Sequence, residues 1–153
     1  MDERGVIVNC RSCGRKNRVP FNVRQARCSV CKVPLDPPAE PIEVPNSAAF
    51  DALISKSTIP VVVDFWAPWC APCRMVAPEL ERVAASNAGK YFVAKVNTDA
   101  LPDVGERFRI RSIPTMAVFD QGQEVTRTAG ARPAAEIEAF VHQSLTRGQA
   151  VNP

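Results

Sequence analysis

The chain has 153 residues, of which 46% are hydrophobic and 23% are charged. This composition excludes a disordered chain, and the length suffices for one globular domain with about 40 residues to spare. Six cysteines are too few for a secreted disulfide scaffold, in which about 8–10% of the residues would be cysteine. The formal net charge of +3 averages over two unlike parts: residues 1–33 hold eight Lys or Arg against two acidic residues, and residues 34–153 hold eleven against fourteen.

The amino-terminal sequence predicts the cellular location of the protein. The chain begins with an acidic stretch, and the apolar run at residues 6–8 is far shorter than the ~7–15-residue apolar core of a signal peptide. We therefore predict neither export nor membrane insertion, but a cytoplasmic protein whose thiols stay reduced.

All six cysteines fall in three Cys-x-x-Cys pairs, and two of the pairs lie in the first 31 residues. Cys10 and Cys13 are followed, after fourteen residues, by Cys28 and Cys31. This spacing is close to the ~15–20 residues that separate the two pairs of a four-cysteine zinc ribbon. Four thiolates without a histidine favour one closed tetrahedral Zn²⁺ site, which is structural or regulatory because it has no open position for catalysis. We predict a zinc-binding module over residues 1–33.

Two alternatives for these four cysteines stay open, namely a rubredoxin-like iron site and two disulfides, although a reducing cytoplasm disfavours the disulfides. The module is short and poor in large apolar residues, so metal binding would supply most of its folding energy. Its basic side chains suggest a nucleic-acid surface, but Phe21 is its sole aromatic residue for stacking on bases. We therefore predict no nucleic-acid partner, and we interpret the charge as a solvated face or a docking surface for acidic proteins.

Five prolines within residues 34–45 mark a boundary after this module. Proline lacks a backbone N–H and favours extended polyproline II structure, so the segment is predicted to be a semi-rigid linker. A second domain is then expected over residues 46–148.

The second domain begins with a predicted helix and a buried strand. Asn46 or Ser47 is the expected helix cap, because apolar residues follow at helical spacing. Residues 61–66 then form an almost unbroken apolar run, which is typical of a central strand buried on both faces. Asp64 stands in the middle of this run, and a buried carboxylate is costly.

The remaining pattern predicts an α/β fold with a central mixed sheet flanked by helices. We expect a helix over 72–86 with a kink at Pro78, because proline lacks the N–H that a helix needs. The later elements are a strand over 91–96, a helix over 101–108, a hairpin of strands 115–119 and 124–128, and a helix over 133–145 with Gly148 just past its end. The lone histidine, His142, is interpreted as a surface residue.

The third pair, Cys70 and Cys73, lies where the buried strand passes into a helix. The first turn of a helix offers unpaired N–H groups and a positive dipole end, which lower the pKa of a cysteine below its free value of ~8.5. Cys70 is therefore the predicted nucleophile. Cys73 lies one turn further along the same helix face and is expected to displace the resulting mixed disulfide.

Asp64 and Lys95 are the predicted acid–base partners of this pair. Asp64 is placed to lie beneath the cysteines, where burial would raise its pKa and suit it to exchange a proton with Cys73. Lys95 on the neighbouring strand is a candidate partner of Asp64. The alternative is a structural ion pair of these two residues without a catalytic role.

Trp66 and Trp69 are expected to provide apolar surface around the sulfurs, with an ordinary core position as the alternative for Trp66.

Two segments of this domain carry a resemblance to a known family. The run Val63-Asp64-Phe65-Trp66-Ala67-Pro68-Trp69-Cys70-Ala71-Pro72-Cys73 and the later Ile113-Pro114-Thr115 resemble thioredoxin, and the likeness covers residues 41–147. It implies the thioredoxin fold, a cis Pro114 facing the cysteines, and an Ile113 backbone that receives the substrate strand. Trp69, Pro72 and Gly130 are expected in the same substrate-binding groove. Ala71 departs from the usual Gly, which leaves the reaction type more secure than the reduction potential.

With the four-cysteine module in front, the whole chain resembles the zinc-binding thioredoxins of bacteria, the thioredoxin 2 type. The resemblance implies a protein-disulfide reductase that holds no redox cofactor of its own and is returned to the dithiol by NADPH-dependent thioredoxin reductase. Its other partners would be substrate proteins that contain disulfides. The alternative function is a zinc-dependent redox sensor or protein-binding module, in which oxidation of the four amino-terminal cysteines ejects the metal.

Overall fold

The computed structural model describes the backbone of residues 1–151 and the side chains of residues 1–146. The order of its elements confirms the predicted α/β class. In chain order they are β1 (Val6–Asn9), β2 (Lys16–Val19), β3 (Ile42–Glu43), α1 (Ser47–Lys56), β4 (Val61–Trp66), α2 (Ala71–Ser86), β5 (Phe92–Asn97), α3 (Pro102–Arg107), β6 (Thr115–Asp120), β7 (Gln123–Ala129) and α4 (Ala134–Val151).

Five strands form one mixed sheet in the order β3-β5-β4-β6-β7. Strands β3, β5 and β4 are parallel, β6 pairs antiparallel with β4, and β7 pairs antiparallel with β6 to form a hairpin. Helices α2 and α4 pack against each other and against the strands. This arrangement confirms the predicted mixed sheet with flanking helices, which is the thioredoxin fold.

The central strand β4 is buried on both faces and separates two apolar clusters. Its alternate residues Val61, Val63 and Phe65 belong to a cluster with side chains of α1 and α3. Val62 belongs to a second cluster, together with buried side chains of α2 and α4. Because the side chains of a strand alternate between the faces, Asp64 shares the face of Val62 and projects towards the side covered by α2.

The amino-terminal module contains a hairpin that its sequence did not predict. Strands β1 and β2 pair antiparallel, with Val6 opposite Val19. These two valines and Phe21 are buried in the same cluster as Val44 and Phe50 of the following chain. The module therefore packs directly against the main sheet, and its few large apolar side chains contribute to a common core.

Part of the segment predicted as a linker also enters the sheet. Strand β3 pairs parallel with β5, with Glu43 opposite Lys95, and the Val44 N–H donates to the Lys95 carbonyl at 2.9 Å. A strand of two residues is too short to show periodicity, so the pairing arises from contact with β5 and not from a local signal.

The helix ends confirm one local prediction and correct another. Asn46 caps α1, since its side chain accepts the Ala49 N–H at 2.8 Å. Helix α2 continues through Pro78. The last helix was expected to end at residue 145 with Gly148 beyond it, but α4 continues to Val151. Glycine costs a helix only ~1 kcal/mol relative to alanine, so a single glycine does not by itself end one.

Two further observations concern the surface. Over the residues that the structure describes, no helix has both the length and the apolar character needed to cross a membrane. His142 is exposed on α4, as expected.

Candidate active site and candidate metal centre

Cys70 and Cys73 form a disulfide at the amino-terminal end of α2, with their Cα atoms 5.2 Å apart. Cys70 is the cap residue of this helix, and its sulfur accepts the Cys73 N–H at 3.2 Å. Ala71 and Pro72 occupy the first two helical positions. A free backbone N–H and the positive end of the helix dipole therefore act on the Cys70 sulfur, and both stabilise a thiolate there.

The loop before β6 lies against this disulfide. The Ile113–Pro114 peptide bond is cis, as the resemblance implies, and the Ile113 carbonyl oxygen lies 3.7 Å from the Cys70 sulfur. Gly130 has a φ of +97° and donates its N–H to the Pro114 carbonyl at 2.9 Å. The structure thus places Ile113 beside Cys70 and joins Gly130 to the adjacent Pro114.

An open groove adjoins the same loop. Trp69 forms part of its wall and is 68% exposed, which is unusual for so large an apolar side chain. Ile113, Arg109 and Arg111 line the groove further along. An exposed aromatic ring next to a disulfide offers apolar contact to a partner protein.

Asp64 lies in the sheet under α2 and is only 1% exposed. In the described part of the chain, neither of its carboxylate oxygens has a hydrogen-bond partner. Burial raises the pKa of Asp64 to about 7, although the positive charge of Lys95 lowers it and the negative charge of Glu43 adds to the rise. This environment does not fit the alternative of a satisfied structural ion pair, because no described residue forms a hydrogen bond or an ion pair with the Asp64 oxygens.

The raised pKa of Asp64 predicts a pH-dependent cost in stability. In the unfolded chain the carboxyl ionises near its ordinary value of 3.8, but in the folded chain it ionises only near pH 7. The unfolded state therefore binds fewer protons between these values, and the free energy of unfolding falls as pH rises through this window. We expect Asp64→Asn to be more stable than the wild type by about 4 kcal/mol at pH 8, and the gain to vanish towards pH 4.

Denaturant unfolding of both proteins at pH 4, 6 and 8 measures this difference. The control is Glu81→Gln, which removes an exposed carboxylate from α2 and should show a difference near zero at every pH. A gain for Asp64→Asn that did not change with pH would mean that the carboxyl of Asp64 is ionised in the folded chain throughout this range.

Lys95 forms no ion pair with Asp64 in the described structure. Its Nζ lies 4.6 Å from the centre of the Trp66 ring, which is a cation–π contact. The Trp66 indole N–H in turn donates to a carboxylate oxygen of Glu43 at 3.2 Å. Glu43 is a residue that the sequence analysis missed, and an isolated acidic residue in a two-residue strand carries no signal that would reveal it.

The four amino-terminal cysteines converge on one point. Their sulfur atoms all lie within 4.8 Å of one another, with Cys10 to Cys31 at 3.5 Å and Cys13 to Cys28 at 3.6 Å. Four sulfurs bound to a tetrahedral Zn²⁺ at ~2.3 Å would be ~3.8 Å apart. The arrangement of the donor atoms therefore fits one such ion.

The two halves of this cluster are built alike, which supports the same fit. After each Cys-x-x-Cys pair the chain turns back, and the N–H groups of Gly14 and Lys32 donate to the carbonyls of Cys10 and Cys28. Both turn residues have a left-handed backbone, with φ of +75° and +65°.

Hydrogen bonds favour the ionised form of the Cys10 and Cys28 sulfurs, whereas burial and the neighbouring sulfurs raise the pKa of Cys13 to about 11. The N–H groups of Cys31 and Val30 lower the pKa of Cys28 to about 6. The side-chain amide of Asn17, a buried residue, donates to the Cys28 sulfur at 3.6 Å. Since the thiolate is the form of cysteine that binds metals, this donor set fits a metal centre.

Comparisons with known proteins agree with the fold and with the redox pair. The family profile described as Thioredoxin matches residues 41–143. A relative from Corynebacterium nephridii, "Thioredoxin C-3", is 40% identical over 146 residues, which are 94% of this chain and 99% of its own. "Thioredoxin 1" of Synechococcus elongatus is 50% identical over 100 residues, 65% of this chain and 94% of its own. The solved thioredoxin of Plasmodium falciparum superposes with a TM-score of 0.62 at 32% identity, covering 67% of this chain and 97% of that one.

A mixed sheet that presents a disulfide-forming Cys-x-x-Cys pair at a helix amino terminus defines a thiol–disulfide oxidoreductase. The profile match covers more than half of the chain, and the similarity to the Corynebacterium protein extends over nearly all of it. The chain belongs to the thioredoxin family, and its enzyme class is protein-disulfide reductase.

Proposed function

We propose that this chain reduces the disulfides of cytoplasmic proteins, with Cys70 and Cys73 as the pair that turns over. The observation that carries this proposal is the position of the pair at the amino terminus of α2, the helix that covers the face of the sheet on which Asp64 is buried without a hydrogen-bond partner among the described residues. After each cycle, an NADPH-dependent thioredoxin reductase returns the pair to the dithiol.

The reaction proceeds through a mixed disulfide. The Cys70 thiolate attacks one sulfur of the substrate disulfide, and the other substrate sulfur leaves as a thiolate and takes up a proton from water. Asp64 accepts the proton of Cys73, and the Cys73 thiolate then attacks the Cys70 sulfur and releases the second substrate thiol. Two electrons pass from the dithiol to the substrate, and the enzyme is left with the Cys70–Cys73 disulfide.

The substrate strand binds beside the Cys70 sulfur. We assign its contacts to the Ile113 backbone, Pro114 and Gly130, with Trp69 and Pro72 on the other side of the cysteines. The proximity of the Ile113 carbonyl to the Cys70 sulfur and the exposure of Trp69 support this assignment. Lys95 acts on the reaction through its charge near Asp64.

We propose further that the amino-terminal cluster holds one structural Zn²⁺, which makes the chain a zinc-binding thioredoxin of the thioredoxin 2 type. Cys10, Cys13, Cys28 and Cys31 would bind the metal. A site closed by four thiolates stabilises the fold and leaves no position for substrate. The corresponding division of the chain is a zinc-binding module over 1–33, a linker over 34–45 whose last residues add β3 to the sheet, and a thioredoxin domain over 46–148.

A second candidate function is a redox sensor built on the zinc site. Cys13 is exposed and Cys31 is partly exposed, so a peroxide can reach two of the four sulfurs. Two thiolates would then form a disulfide, the peroxide would be reduced to water, and the metal would leave. Zinc release that runs in parallel with a change in activity would favour the sensor. Unchanged activity during zinc release would favour a structural site.

NADPH-coupled reduction of insulin, with the full chain and thioredoxin reductase, tests the reductase proposal. We expect NADPH consumption and insulin precipitation that rise in proportion to the amount of the chain. The control omits the reductase, and one round of reduction at most should then occur. If NADPH is not consumed although dithiothreitol-reduced chain still reduces insulin, the proposed electron donor is wrong.

A further inference from the structure

Glu43 lies in the same row of the sheet as the two predicted acid–base residues. Strands β3, β5 and β4 are parallel neighbours, and in their register Glu43 lies opposite Lys95, which lies opposite Asp64. Residues paired in this way project from the same face, and neighbouring strands are ~4.8 Å apart. The two carboxylates therefore flank the Lys95 ammonium on the face that α2 covers.

Trp66 connects the outer carboxylate to this ammonium. Its indole N–H holds a Glu43 oxygen at 3.2 Å, and the Lys95 Nζ lies 4.6 Å from the centre of the same ring. Trp66 is the last residue of β4, and its side chain reaches across β5 to Glu43 on β3. These contacts place the Glu43 carboxylate and the Lys95 ammonium at the same indole ring, although Lys95 forms no ion pair with either carboxylate among the described residues. The Asp64 oxygens have no hydrogen-bond partner in that part of the chain.

We propose that Glu43 is a positioning residue for the proton transfer: its carboxylate, held by the Trp66 indole, draws the Lys95 ammonium away from Asp64 and leaves Asp64 free to exchange its proton with Cys73. This inference rests on the proposed role of Asp64 in the reductase reaction. It adds a residue of the edge strand β3 to the machinery beneath the active-site helix.

The charges around the row give the physical reason. An ammonium close to Asp64 would stabilise its ionised form, and the negative charge of Glu43 opposes that form as well as competing for Lys95. On the other elements packed against the row, the first turn of α2 contributes the buried Cys73, and β6 contributes the uncharged Met116 opposite Asp64. Glu40 and Glu81 line an open cavity at Lys95, and neither Trp66 nor Glu43 is part of its lining.

The test is a titration of the Asp64 carboxyl carbon by NMR in the oxidised full-length protein. Glu43→Gln keeps the acceptor for the Trp66 N–H and removes only the negative charge. We expect the midpoint of the Asp64 titration to fall by about half a pH unit, because Lys95 is then free to pair with Asp64. The rising limb of the pH profile for insulin reduction should move down by the same amount.

Glu40→Gln is the matched control, since it removes the same charge from the cavity at Lys95 without touching the indole contact. Its shift should be less than half of that of Glu43→Gln. An unchanged midpoint in Glu43→Gln, or equal shifts in both variants, would overturn the role of Glu43. The titration does not depend on turnover, so a failure of the reductase proposal itself would show as lost insulin reduction with the Asp64 shift still present.

Discussion

Replacement of Cys70 by serine is expected to lower the rate of insulin reduction at least about a thousandfold, to the level of the uncatalysed exchange. The hydroxyl of serine is protonated at neutral pH and does not attack disulfides, whereas the position of Cys70 at the cap of α2 favours a thiolate. The NADPH-coupled assay measures the loss. Substantial turnover in Cys70→Ser would remove Cys70 as the nucleophile.

Cys73→Ser is the matched variant for this experiment. It also lacks the internal disulfide, but it retains the predicted nucleophile. We expect it to stop after the first step and to accumulate a mixed disulfide between Cys70 and the substrate, because the resolving thiol is absent. Mass spectrometry of the trapped complex detects this species. If Cys70→Ser were the variant that trapped substrate, the two roles would be reversed.

Loss of the metal is expected to unfold the amino-terminal hairpin. Apparent binding free energies of structural Zn²⁺ in four-ligand sites are ~10–16 kcal/mol, far more than the few buried side chains of so short a module supply. In Cys28→Ser we expect zinc content to fall from one ion per chain towards zero. Hydrogen exchange in β1 and β2 should then become fast, and the thermal midpoint of the whole chain should fall.

The fall of the thermal midpoint has a structural reason. Val6, Val19 and Phe21 of the module are buried in the same cluster as Phe50 of α1, so an unfolded module uncovers part of the common core. Ser12→Ala is the control, because it changes an exposed side chain between two cysteines of the cluster without removing a sulfur. It should leave the zinc content and the hydrogen exchange unchanged.

The identity of the bound metal is tested on the wild-type chain. Mass spectrometry of the digested protein should find zinc at one ion per chain. A red protein with one iron per chain would support the rubredoxin-like alternative. Four sulfurs that resist alkylation until a reductant is added would indicate two disulfides and no metal site.

The candidate active site was predictable because its cysteines and Asp64 are close in sequence, and because Ile113 and Pro114 belong to a segment that resembles thioredoxin. Cys70 and Cys73 are one helical turn apart, and the apolar run before them predicted a buried strand with Asp64 inside it. The structure then showed which contacts Asp64 and Lys95 make, which the sequence pattern alone had left open. Asp64 has no partner among the described residues, and Lys95 contacts the Trp66 ring instead of forming the predicted pair.

Glu43 was not predictable for the opposite reason. Its relation to Asp64 depends on two strand pairings, β3 with β5 and β5 with β4, that join segments about 50 and 30 residues apart along the chain. The register of these pairings decides which side chains share a face, and no local pattern records it. The same holds for the hairpin of the module and for its place in the common core.

By itself, the sequence determined the features that depend on short spacing and local periodicity. These are the three cysteine pairs, a helix cap at Asn46 or Ser47, the buried central strand and the helix that starts at the active-site pair. Only the tertiary structure decided that the module packs on the sheet, that β3 completes the sheet edge, and that Glu43, Lys95 and Asp64 form one row. Such contacts join residues far apart in the chain, so their free energy appears only when the whole chain folds.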